Sequence, residues 1–195
     1  MTSFQTPPVP RLAQLTDLLW TGGALSHRVD AATHAVKFWQ SVGIRAVVDT
    51  RLEWTDDELI AEIAPEIAFL NEGVVDGGQP MRDSWFDNIT DFAVRHLDSG
   101  GGVLIHCGSG INRGPSAAFA VLLRLGWDPV DAIELIRTQR PAATVSYGEG
   151  ALDWWQRKAA VPVEQRHDDR KRFDEWRAAD RARRFEDAQR NVNSS

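Results

Sequence analysis

The sequence predicts an α/β domain with a central, mostly parallel sheet flanked by helices and an extra helix at its C-terminal end. Three observations predict it. Short β-rich apolar runs alternate with segments of helical periodicity, the pattern of a parallel sheet covered on both faces. Glycine clusters punctuate those segments where loops belong. Residues 162–195 lack helix breakers and carry nine Arg and Lys against eight Asp and Glu, so they read as an exposed, charge-balanced helix.

The elements follow in order. Residues 1–10 contain three prolines and read as a flexible lead-in. The compact domain then spans 11–161, and 162–195 form the helical tail. Leu18-Leu19-Trp20 reads as a short strand stopped by Gly22-Gly23. Asp30 is placed to cap a helix running to Ser41, and Gly43 ends it. Ile44 to Val48 is a buried strand ending at Asp49, a weaker helix covers 56–64, and 67–75 is extended. Gly77, Gly78 and Pro80 force a loop. Asp83 and Ser84 then open a helix to Asp98, with Trp85, Ile89, Phe92, Ala93 and His96 at helical spacing. Val103 to Ile105 is a central strand. Residues 117–125 are apolar almost all round, which marks a buried helix. Asp128 and Pro129 supply the N-cap and first residue of the next helix, Arg140-Pro141 closes it, and another covers 151–159. In the tail, Phe173, Trp176 and Phe185 form a thin apolar stripe.

Composition excludes several classes. The net charge of −6 disfavours nucleic acid, whose phosphates need clustered Lys and Arg. No apolar run approaches the ~18 residues of a membrane span. The first residues lack the basic start and apolar stretch of a secretory leader. A single cysteine, Cys107, forms no internal disulfide, so the cytoplasm is the expected compartment. Oligomeric state is not legible.

The chemistry concentrates between the central strand and the buried helix, in His106-Cys107-Gly108-Ser109-Gly110-Ile111-Asn112-Arg113. Such a strand-to-helix loop lies at the carboxyl end of the sheet, where α/β proteins place ligands. Gly108 and Gly110 let the backbone turn so that the N–H groups of 108–112 line an anion nest, with the helix dipole behind it. Arg113 can grip two phosphate oxygens with its planar fork. The same positive field favours a thiolate nucleophile at Cys107. His106 is expected to support the loop.

This HCxxGxxR loop resembles the signature of the protein tyrosine phosphatase superfamily, and residues 18–159 resemble a dual-specificity phosphatase domain. The likeness includes Trp20-Thr21-Gly22-Gly23-Ala24-Leu25, Val47-Val48-Asp49 and Val75-Asp76-Gly77-Gly78-Gln79-Pro80. The last stretch is similar to the acid loop of the cyclin-dependent-kinase-associated phosphatases. The resemblance implies attack by Cys107, a phosphocysteine, and Asp76 as general acid, without metal or cofactor. Asp83 and Asp87 are the alternative acids, Asp83 more naturally a cap and Asp87 a first-turn charge; Asp49 reads as structural. One departure stands out. The family usually has Ser or Thr after the Arg, and here Gly114-Pro115 follows, which delays the helix start and leaves Ser116 as the nearest hydroxyl. The neutral loop positions Gly108, Ser109, Ile111 and Asn112 point to a compact phosphomonoester, either protein phosphotyrosine or phosphoserine/threonine, or a small phosphate. The competing readings are a phosphate-binding module with little turnover and a rhodanese-like sulfurtransferase.

Overall fold

The computed structural model describes residues 12–193; the lead-in expected at 1–10 lies outside them. The elements are β1 (Leu12–Gln14), β2 (Leu19–Gly22), α1 (Val29–Ser41), β3 (Ile44–Arg51), α2 (Asp57–Ile63), β4 (Ala68–Val74), α3 (Asp83–Asp98), β5 (Gly102–His106), α4 (Arg113–Arg124), α5 (Pro129–Gln139), α6 (Gly148–Lys158) and α7 (Val163–Asn193). The sheet order is β1-β2-β5-β3-β4. β1 runs antiparallel to β2 and every other pairing is parallel.

β5 is the central strand because it is short, apolar and buried along its whole length. Helices α1 and α2 supply the residues that bury Val47 and Leu104 on one face of the sheet. α3, α4, α5 and α6 cover Val48, Val103 and Ile105 on the other. The chain leaves β5 between β2 and β3, the two strands it pairs with, so the loop after β5 opens at the switch point of the sheet.

Several sequence expectations are corrected. β1 is an additional strand, only three residues long and on the sheet edge. Asp30 and Asp83 are not helix caps. The N-cap positions are Arg28 and Arg82, and each aspartate is drawn instead to a nearby arginine: Asp30 to Arg28, Asp83 to Arg157. Asp128 does cap α5, accepting from the amides of Val130 and Asp131 at 2.9 and 3.3 Å. α4 is not delayed. It starts at Arg113, because Pro115 sits within the first turn, where a missing N–H costs nothing. The tail helix is not exposed throughout. Phe173 is fully buried and packs 5.5 Å from the Phe119 ring, whereas Phe185 is exposed.

Candidate active site

The loop from Cys107 to Asn112 is built from outside by its neighbours. The carbonyl of Gly108 accepts from the Ala24 amide at 2.9 Å, that of Ile111 from the Thr144 amide at 2.7 Å, and that of Asn112 from the Ser116 amide at 2.8 Å. Between them, Arg140 donates to the Ser109 carbonyl at 2.8 Å and also to the Gly110 carbonyl. Five successive carbonyls are therefore held by groups surrounding the loop. In a trans peptide the C=O and the following N–H point opposite ways, and no peptide bond among the described residues is cis. The amides of residues 109–113 accordingly point the other way, one position later than the 108–112 expected from the glycines, and can line an anion nest. Gly110 is required twice over: its φ is +66°, and a Cβ there would lie 2.5 Å from the Gly22 carbonyl.

Cys107 is buried at the start of this nest, and Arg113 closes it at the first residue of α4. The Arg113 guanidinium is held on one edge. Its Nη1 donates to Glu53 Oε2 and to the Val74 carbonyl, both at 2.8 Å, and Nη2 donates to Glu53 Oε1 at 2.6 Å. Its Nε is buried without a hydrogen-bond partner, so the Nε edge is the one able to receive an oxyanion. These hydrogen bonds hold the Glu53 carboxyl down at about 2, so it stays ionised at neutral pH.

Asp76, just after β4, comes to the same place. Its Oδ2 lies 3.6 Å from Arg113 Nε. Its Oδ1 accepts from Asn112 Nδ2 at 2.7 Å and from the Tyr147 hydroxyl at 2.9 Å. The alternative acids are elsewhere: Asp83 pairs with Arg157, and Asp87 with Lys158 and the Trp154 indole. Ser116 does not stand in for the hydroxyl missing at 114. Its Oγ contacts Asn112 Oδ1 at 3.4 Å and accepts from the Tyr147 amide at 3.3 Å. Gly114 itself packs against the strand end; a Cβ there would lie 3.0 Å from the His106 carbonyl carbon and 3.1 Å from the Cys107 nitrogen.

His106 meets its neighbours through both backbone and ring. Its carbonyl accepts from the Thr50 hydroxyl at 2.8 Å, while its ring is buried on the α1 side, 6.4 Å from the Trp39 ring. Burial, the largest influence, lowers its pKa; the nearby Asp49 partly opposes this. Asp49, Asp56 and His106 are the one group of metal-type donors found together among the described residues. That cluster already contains a cation, since Arg51 Nη2 lies 2.7 Å from both carboxylates. Asp49 is thus structural.

Three residues of the site escaped the sequence reading: Glu53, Arg140 and Tyr147. Each acts across a long chain separation. Only the Arg51-Leu52-Glu53 run at the end of a strand beside the loop strand offered a signal. Beside the loop, a pocket of about 550 Å³ is lined by Gly108, Ser109, Ala35, Trp39, Trp54 and His27, among others. Leu52, Trp54, Val75 and Ile111 present apolar surface to solvent on the segments that carry Glu53, Asp76 and the loop.

A family model described as a polymorphic toxin system DSP-PTPase phosphatase matches residues 21–127. No curated protein matches the sequence. Among solved structures, a mouse dual-specificity phosphatase complexed with zinc tungstate is 21% identical, with TM-score 0.66, covering 84% of this chain and 98% of that one. Human DUSP28 is 18% identical, with TM-score 0.61 and coverages of 77% and 96%. PTPMT1 in complex with PI(5)P is 17% identical, with TM-score 0.62 and coverages of 76% and 97%. At these identities the likeness is one of fold.

Proposed function

Since the chain belongs to the DSP-PTPase phosphatase family of polymorphic toxin systems, we propose that it hydrolyses phosphomonoesters through a phosphocysteine on Cys107. The observation that carries this reading is the loop itself: five successive carbonyls bound from outside, which turns the amides of 109–113 the other way, with the Arg113 Nε edge, without a hydrogen-bond partner and 3.6 Å from Asp76, beside them. The amides of Ser109, Gly110, Ile111, Asn112 and Arg113, with the Arg113 guanidinium, hold the phosphoryl oxygens and the charge that grows on them in the transition state.

Cys107 Sγ attacks phosphorus and the P–O bond to the leaving group breaks. Asp76 gives its proton to the departing oxygen. A water then attacks the phosphocysteine, Asp76 takes a proton from it, and the S–P bond breaks to return the thiolate and inorganic phosphate. No step calls on a metal or cofactor.

Substrate class follows from the rim. The loop's side chains are neutral, and the surrounding apolar surface of Leu52, Trp54, Val75 and Ile111 favours a phosphate carried on an aromatic or apolar-flanked group. Phosphotyrosine in protein fits that description best, ahead of phosphoserine/threonine and of small polar phosphates. A second reading, a phosphate-binding module with little turnover, is favoured by one observation: no side-chain hydroxyl at 114, with Ser116 engaged elsewhere.

Phosphate release from a phosphotyrosine peptide, a phosphothreonine peptide, a nucleotide and a sugar phosphate tests the proposal. The expected order starts with the phosphotyrosine peptide. Faster release from the nucleotide or sugar phosphate would overturn the substrate assignment. Binding of the peptide without release would favour the module.

A further inference from the structure

We propose that Tyr147 is a positioning residue that fixes the orientation of the Asp76 carboxyl, directing the acid's proton onto the oxygen that faces the phosphate site. The inference rests on the reading of Asp76 as the general acid.

The phenol makes two hydrogen bonds. It accepts from the Gly78 amide at 3.2 Å and donates to Asp76 Oδ1 at 2.9 Å. Because an amide N–H can only donate, the phenol's own proton must point at Asp76. The second donor to Oδ1 is Asn112 Nδ2, and its orientation is fixed by the same logic. Asn112 Oδ1 accepts from the Ser146 amide at 2.7 Å, which leaves the NH₂ end towards Asp76 at 2.7 Å. Oδ1 thus receives two donors. A proton carried by Asp76 therefore resides on Oδ2, the oxygen 3.6 Å from Arg113 Nε and next to the oxyanion edge.

The segment that delivers Tyr147 is built for rigidity. Thr144 donates its amide to the Ile111 carbonyl, Ser146 to Asn112 and Tyr147 to Ser116, so three of four successive residues are tied to the loop and its helix. The fourth, Val145, is fully buried with φ at +48°. A β-branched residue rarely adopts that conformation, and it persists only where the surroundings over-determine it. The Tyr147 carbonyl also accepts from the Ala151 amide at 3.0 Å, which anchors the residue at the start of α6. Burial keeps the phenol protonated, as a donor must be, and the charged groups facing it are Asp76 and Arg113.

The chain has one tyrosine, which makes the test specific. Tyr147→Phe, Asp76→Asn and the double variant are compared on phenyl phosphate, a poor leaving group, and on 4-nitrophenyl phosphate, a better one. Tyr147→Phe should lower kcat on phenyl phosphate about tenfold, leave KM within about twofold, and spare the nitrophenyl ester. In the Asp76→Asn background it should cost nothing further. Equal losses on both esters, or a full further loss in the double variant, would overturn the inference. If Asp76→Asn itself loses equally on both esters, the acid assignment fails first and the inference with it. Fluorotyrosine incorporation labels Tyr147 alone without removing the hydroxyl. Its ¹⁹F resonance should move along the basic limb of the activity profile and stay fixed in Asp76→Asn. A resonance that moves identically in both proteins would overturn the inference even if Tyr147→Phe does not fold.

Discussion

Glu53 and Arg113, sixty positions apart in the chain, meet through both carboxylate oxygens, at 2.8 and 2.6 Å. The pair settles which side of the guanidinium is available. Glu53 and the Val74 carbonyl take one edge, and the Nε edge remains on the side of the Cys107–Asn112 loop. On the proposed function, Glu53 positions Arg113 rather than competing with the phosphate.

Glu53→Gln should lower kcat/KM about tenfold, because a neutral amide can accept only one of the two hydrogen bonds. Steady-state kinetics on an aryl phosphate checks this; a gain in activity would identify Glu53 as a competitor. Its carboxyl falls from an ordinary 4.5 to about 2, so its contribution is present above pH 4.5 and is lost only between there and about pH 2. No activity limb near neutrality belongs to Glu53.

Arg113→Lys should be nearly as damaging as Arg113→Ala, each costing well over tenfold in kcat/KM. The three donors of an ammonium are too few to replace the three hydrogen bonds to Glu53 and Val74 and also grip a phosphate, whereas the five donors of a guanidinium suffice. Retention of more than about a tenth of the native kcat/KM, a loss under roughly 1.4 kcal/mol, would contradict the two-edge geometry.

His106 makes the fold sensitive to acid. Its pKa is lowered on folding, so the unfolded chain binds a proton more readily. Stability is full above the unfolded value near 6.5 and falls as pH drops below it, by up to about 1.4 kcal/mol per pH unit. Thermal melts from pH 7.5 to 5 should show this slope, and His106→Asn should flatten it. An unchanged slope would mean that other groups carry it.

Gly114 leaves no hydroxyl beside Cys107, so on the proposed mechanism hydrolysis of the phosphocysteine should be the slow step, with a burst of leaving group approaching one equivalent in rapid mixing. Gly114→Ser should not repair this simply. Its Cβ would press on the His106-Cys107 backbone at 3.0–3.1 Å, costing roughly 1–3 kcal/mol of stability. A stable Gly114→Ser protein with a faster steady rate would show that the backbone yields.

What the sequence made legible was local. The Cys107-to-Arg113 loop, the glycines that shape it and the Asp128-Pro129 helix start all lie within a few residues, and their chemistry follows from spacing. Resemblance rather than spacing points to Asp76, and the fold brings it to Arg113. Glu53, Arg140 and Tyr147 were not legible, because their partners lie 60, 31 and 71 positions away and only the sheet and the α5–α6 turn bring them together. Asp30 and Asp83 read as caps from sequence because spacing does not show the arginine that pairs with each carboxylate. Phe173 looked like part of an exposed stripe because helical spacing does not reveal which turn of α7 docks.

The central claim is that Cys107 carries the phosphoryl group. Acid quench of the enzyme during turnover of an aryl phosphate, followed by mass analysis of its peptides, tests it most directly. One phosphoryl group on the peptide containing Cys107, absent in a folded Cys107→Ser protein that releases no phosphate, is the predicted result. Phosphate release by Cys107→Ser at the native rate would contradict the account.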